Sequence, residues 1–190
     1  MAAAAPSSLT PAEVSHYREH GWVVASQFLA RRMQRDPAQL VDHFMALHET
    51  VPHDRRYGGV DDEHEDSNHQ WPRMINMQDG ETAALASSPP LLAAVGELLN
   101  DEPQLHQTMV YFKPPRGRGQ ALHQDMAIIT IDPLLGVWMP LDEATPEVGP
   151  MIVVDRSHVD GFAPKRHTDM AISFTEGEAI PKPVRENPAS

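Results

Sequence analysis

FKPPRGRGQALHQD (112–125) and, after a short interval, GVWMPLDEATPEVGPMIVVDRSHVDG (136–161) decide how this chain is read. His123-Gln124-Asp125 directly precedes MAIITI (126–131), a run rich in β-branched residues that predicts a strand. GVWMPL (136–141) and MIVV (151–154) are two further short apolar runs, separated by the turn-like DEATPEVGP. Upstream, LHQTMVYFK (105–113) is β-like, and PPRGRGQ (114–120) reads as a turn or loop. From residue 105 onward the pattern is that of an all-β region.

The half before it is helical. Thr10-Pro11-Ala12-Glu13 carries an N-cap, a proline at the first helical position and the acid of a capping box, and His20-Gly21 reads as the stop. Trp22-Val23-Val24 is a short strand candidate. Asp36-Pro37 starts a second helix with Leu40, Val41, Phe44, Leu47 and His48 on one stripe. Ser88-Pro89-Pro90 opens another, with Leu91, Leu92, Val95, Leu98 and Leu99 on its stripe. Residues 51–68 lose all periodicity and read as a solvated loop. The division expected is a helical region, 1–104, packing on a β region, 105–190, as a single domain.

Composition narrows the function. A length of 190 residues suits one ordinary domain with a real core. The net charge of −12 repels phosphate backbones, so nucleic acid is not an expected partner. There is no cysteine, which removes disulfides, thiolate zinc sites, iron–sulfur clusters and thiol nucleophiles. The longest apolar run, PPLLAAVGELL (89–99), is too short to span a bilayer and contains a Glu, and MAAAAPSSLT is no secretory signal. The expectation is a soluble, cytoplasmic protein acting on a small-molecule substrate, with no membrane partner.

His123 and Asp125 carry the chemistry. Residues i and i+2 of a strand share a face, so an imidazole and a carboxylate would sit side by side. That pair suits a divalent metal of intermediate hardness; two His and one carboxylate on Fe(II) leave positions open for O2 and a co-substrate. The competing reading of the tripeptide is a surface ion pair. Elsewhere, the acidic run Asp61–Asp66 with His69 could bind a cation but lacks EF-hand spacing and reads as a solvated loop. His16 and His20 stand i, i+4 without the Glu of a zinc helix and read as surface residues. Gln107, Tyr111 and Lys113 share strand parity and line either a cavity or an ordinary amphipathic strand. Arg73 reads as a surface cation, Trp138 as core-packed, and the ten Met residues as packing.

With those residues in view, 112–161 resembles the phytanoyl-CoA dioxygenase family of Fe(II)/2-oxoglutarate oxygenases. The shared pattern is Lys-Pro-Pro, a Gly-containing loop, His-Gln-Asp, Gly-x-Trp-x-x-Leu-Asp, a Gly-Pro turn, an apolar strand, and Ser-His followed by Gly. The resemblance implies a mainly β fold with flanking helices, a double-stranded β-helix or jelly roll. It implies Fe(II) on His123 and Asp125, with Gln124 and Trp138 near the 2-oxoglutarate site; by the strand parity noted above, Gln107 or Lys113 is a further candidate to touch substrate or 2-oxoglutarate. The reaction implied is oxidation of a small organic or acyl substrate by O2, with 2-oxoglutarate converted to succinate and CO2.

The chain departs from the family downstream. The family's second metal-ligating His and its co-substrate-binding Arg are not found in the 65 residues after Asp125. His158 occupies the Ser-His position, which is not the distal ligand in the family, and His167 lacks the apolar strand and Gly-Asp turn that precede that ligand. A jelly roll has eight core strands, and four or five can be found here. The C-terminal half of the barrel is thus expected to be incomplete, as in a fragment or a reduced family member serving as a non-catalytic binding module. Ile128, Ile129, Ile131, Val137 and Ile152 would then be exposed in part, and either self-association or a partly molten state would follow. Two smaller departures are Asp155-Arg156, where the family has Pro-Gly, and Val148, where Asn is usual.

Overall fold

The computed structural model describes residues 9–50, 73–75, 79–113, 123–127, 129, 131–159, 161 and 185–186. The 61–66 loop, His69, Ile128 and His167 lie outside these. The chain divides into two compact units, one of 1–28, 93–103 and 120–190, the other of 29–92 and 104–119.

In the first unit, α1 (Pro11–His20) forms as its sequence dictates. Thr10 Oγ1 accepts the Glu13 N–H at 3.2 Å, and Glu13 Oε2 accepts the Thr10 N–H at 2.6 Å. These two bonds satisfy donors that a helix start otherwise leaves open. Gly21 ends the helix in the left-handed region, φ 83°, and its N–H reaches the Tyr17 carbonyl. Leu9, Val14 and Ala94 form a small buried cluster with Ala25, Phe28 and Leu98 against it. Trp22-Val23-Val24, a strand candidate by sequence, is irregular.

The segment 123–161 in the same unit is mostly extended or turning backbone. Asp125–Ala127 is a 3-10 turn, Ser157–Val159 is another, and Ile152–Val153 is a two-residue strand pairing antiparallel with Arg185–Glu186. The 136–141 run forms no strand, and MIVV forms one only at Ile152–Val153. Apolar composition marked these segments, yet among the described residues strand forms only where a partner supplies the ladder bonds. Ile131, Val137 and Ile152 are 38%, 48% and 39% exposed, in the direction the sequence led one to expect.

Arg156 takes φ 61°, the left-handed region, at a position where the resemblance places Gly. A side chain there meets its own backbone, whereas glycine does not. Arg156→Gly is therefore expected to stabilise the protein by about 0.5–1 kcal/mol, raising Tm by about 1–4 °C. Thermal unfolding checks this, and a lower Tm would contradict it.

In the second unit, a π-helical turn (Phe28–Arg32) begins in the first unit and leads into α2 (Pro37–Thr50). Leu40 and Phe44 are buried, with Val41, Leu47 and His48 half-buried, so the stripe predicted for α2 is present. β1 (Arg73–Ile75) pairs antiparallel with β2 (Val110–Phe112), Met74 opposite Tyr111, and the His48 ring lies 4.4 Å from that of Phe112. The β-like run 105–113 is thus a strand only at 110–112. α3 (Gly80–Ala86) is an element the sequence reading did not anticipate, and α4 (Pro89–Leu99) follows it, spanning both units.

Asp79 makes α3 possible. Its carboxylate accepts the Glu81 and Thr82 N–H groups, the Thr82 hydroxyl and His43 Nε2–H, the last at 2.8 Å. Partial burial would raise its pKa, but the bonds from Thr82 and His43 outweigh that and hold the carboxyl below its usual range. A lowered pKa contributes stability that is present above the unfolded-state value and lost as pH falls through the folded one. Asp79→Ala should cost about 1–2 kcal/mol at neutral pH. The difference from wild type should shrink only at strongly acidic pH, as urea unfolding at several pH values would reveal.

Among the described residues, no single helix is long and apolar enough to cross a membrane.

Candidate metal centre

His123 lies in irregular backbone, and Asp125 opens the 3-10 turn that follows. The strand geometry used to bring them together in the sequence reading is absent at Asp125, yet the side chains do meet. His123 Nε2 is 3.2 Å from Asp125 Oδ1. The Nε2–H bond to the carboxylate holds the Asp125 carboxyl below its ordinary range, partial burial opposes this, and the field of the imidazole adds to it. Asp125 is thus held in the ionised form a metal ligand requires.

The donor set fits a divalent metal. Metal bonds of roughly 2.0–2.2 Å to N and O place two neighbouring ligands about 3 Å apart, close to the observed separation. The two atoms could therefore take adjacent coordination positions with little rearrangement, in the tautomer that carries the ring proton on Nδ1. Gly136 borders the carboxylate: a Cβ there would stand 3.8 Å from Asp125 Oδ2, so glycine keeps that side of the group clear of a side chain. One imidazole and one carboxylate leave the remaining positions of the ion to other groups. Among the described residues, no three His, Asp or Glu side chains converge on one point.

The other residues singled out by sequence fall as follows. Gln124 Nε2–H donates to the Gly161 carbonyl at 3.1 Å. Trp138 is 44% exposed, which corrects the expectation that it is core-packed; the run that carries it forms no strand that would turn its ring inward. Gln107, Tyr111 and Lys113 belong to the second unit and are exposed. Gln107 precedes β2, so strand parity with Tyr111 does not extend to it. Arg73 is in β1, its backbone opposite Phe112. His158 sits in the Ser157–Val159 turn with its ring against Gly21.

His16 and His20, read from sequence as surface residues, are half-buried. Their rings stack at 4.2 Å, and the edge of Trp22 meets His16 at 4.5 Å. His20 Nδ1–H and Trp22 Nε1–H both donate to Asp155 Oδ1, at 2.8 and 3.1 Å, and the Arg156 N–H reaches the His20 carbonyl at 2.9 Å. Asp155 accepts only, so it fixes the His20 tautomer. The i, i+4 spacing signalled that the two His share a helix face; nothing local signalled Asp155.

The family model for phytanoyl-CoA dioxygenase (PhyH) matches residues 17–186. No curated protein and no solved structure matches the chain significantly.

Proposed function

Because the chain belongs to the phytanoyl-CoA dioxygenase family, a family of Fe(II)/2-oxoglutarate-dependent oxygenases, we propose that it is a non-haem dioxygenase hydroxylating a small organic or acyl substrate. The observation that carries this reading is the meeting of His123 and Asp125, at ligand separation, inside the matched region. The fold that goes with it is a double-stranded β-helix with helices outside.

In this reading His123 Nε2 and the Asp125 carboxylate hold the iron. Bound Fe(II), with 2-oxoglutarate as co-substrate, supplies the activation of O2 needed to oxidise a C–H bond. The chain's own work is positional. Asp125 stays ionised and offers charge to the cation, and His123 would present its Nε2 lone pair, the ring proton being carried on Nδ1. Gly136 leaves room beside the carboxylate. Trp138 and Gln124, both in the first unit, remain candidates for the co-substrate pocket.

The test is conversion of 2-oxoglutarate to succinate with Fe(II) and ascorbate across a substrate panel. Turnover is the expected result; no turnover together with no bound iron would overturn the reading. A second reading, a non-catalytic binding module, rests on the sequence, in which the family's distal His and co-substrate-binding Arg are not found after Asp125. Iron binding without turnover would select it.

A further inference from the structure

We propose that Gly136 is a specificity-determining residue of the metal centre: the space left by its missing side chain admits ligands from solution to the ion, and a side chain there would decide which of them enter. The proposal rests on the metal reading of His123 and Asp125 and concerns the side of the centre that this pair leaves open.

Three observations lead to it. First, glycine does not stand at 136 for the sake of the backbone. Gly21, Gly149 and Gly161 take positive φ, and Gly136 does not. A residue with a Cβ could hold the same conformation and would lose less freedom on folding. Second, the place its side chain would occupy borders the carboxylate. A Cβ at 136 would stand 3.8 Å from Asp125 Oδ2, an ordinary contact distance, and apart from its chain neighbours no other atom of the described residues comes within 4 Å of it. Third, Oδ2 is itself uncommitted. Asp125 Oδ1 faces His123 Nε2 at 3.2 Å, the Asp125 side chain is 52% exposed, and among the described residues no group donates to Oδ2. Gly136 and the two residues after it, Val137 and Trp138, are exposed, so this side of the pair is open to solvent.

The consequence follows from reach. An ion held by His123 Nε2 and Asp125 Oδ1 lies about 2.0–2.2 Å from each, on the same carboxylate that the Cβ at 136 would touch. Two protein ligands leave the other positions of the ion to small molecules. A polar side chain starting at 136 could take one of those positions for itself, and an apolar one would fill the approach. Glycine does neither.

The experiment compares the full wild-type chain with Gly136→Asp, Gly136→Asn, Gly136→Leu and His123→Ala. Titration calorimetry measures Mn2+ affinity, titration of the Mn2+-loaded protein measures 2-oxoglutarate affinity, and thermal unfolding confirms that each variant folds. Gly136→Asp should bind Mn2+ about tenfold more tightly, because the added carboxylate crowds Asp125 without the ion and shares the ion once it is bound. Its affinity for 2-oxoglutarate should fall about fivefold, one position being taken. Gly136→Asn has the size of Asp without its charge, and its gain in Mn2+ affinity should be about threefold at most. Gly136→Leu should hold Mn2+ within about twofold of wild type, since neither ligand is touched, and should bind 2-oxoglutarate about tenfold more weakly. Wild-type Mn2+ affinity in Gly136→Asp would overturn the proposal, because position 136 would then not face the ion. So would unchanged 2-oxoglutarate affinity in Gly136→Leu. If Gly136→Leu fails to fold, Gly136→Asp and Gly136→Asn decide the matter alone. If wild type binds no more Mn2+ than His123→Ala, the metal reading itself fails, and the assignment of Gly136 falls with it.

Discussion

His123→Ala is expected to abolish specific binding of a divalent metal, and with it any 2-oxoglutarate turnover. The reason is arithmetic at the ion. Among the described residues His123 and Asp125 are the donors that stand at ligand separation, and removing His123 takes its nitrogen from the ion and returns that position to water. The loss should exceed the roughly 10–100-fold that changes to outer-shell partners cost. Calorimetric titration with Mn2+, which is insensitive to O2, measures it directly. His123→Ala should lower Tm only modestly, because the imidazole is part-exposed and its ion pair is with the half-exposed Asp125 carboxylate. Wild-type affinity in the variant would move the site elsewhere, with the acidic 61–66 run and His69 the first to examine.

Gly21→Ala is expected to be among the most damaging single-methyl additions to the fold. Gly21 caps α1 at φ 83°, where a Cβ is strained, and the same Cβ would overlap the His158 ring. The backbone term is about 1 kcal/mol and forced repacking about 1–3 kcal/mol. Together they predict a loss of about 2–4 kcal/mol, or a Tm lower by about 4–16 °C. The two causes can be separated by a double-mutant cycle. In a His158→Ala background the ring overlap is gone and only the Cβ of residue 158, 3.1 Å away, stays close, so Gly21→Ala should cost little more than the backbone term. Equal costs in both backgrounds would mean that the His158 ring yields freely.

Local signals in the sequence proved sound where the chemistry that builds an element is itself local. Thr10, Pro11, Glu13 and Gly21 are all within a turn of the helix ends they define, and α1 forms between them. The stripe of α2 could be read because burial follows a 3.6-residue period. α3 was missed because seven residues carry little periodicity; its one usable sign was Asp79 ahead of Glu81 and Thr82, an N-cap without an apolar run behind it. The apolar runs after residue 125 were recognisable, but which of their residues find a ladder partner depends on distant backbone. The candidate site shows the same split. His123 and Asp125 could be paired from two residues of spacing, though by a strand argument that does not hold at Asp125. The Gln124–Gly161 bond and the Asp155 cluster join residues 37 and more than 130 positions apart, and no pattern in the chain marks them.

The fastening of α1 to Asp155 also sets a clock on the ribosome. His20 and Asp155 are 135 residues apart, and at about 5–20 residues per second a growing chain needs roughly 7–27 s to cover that interval. Throughout that delay the helix has left the exit tunnel without its partner. A free helix of 10 residues is below the roughly 12–15 needed to hold together in water. The stretch carrying His16, His20 and Trp22 should therefore spend most of synthesis as open chain, accessible to chaperones and proteases, and lock only after Asp155 emerges. Nascent chains stalled before residue 155 should be cut within 11–22 by a dilute protease, and chains stalled well beyond it should resist.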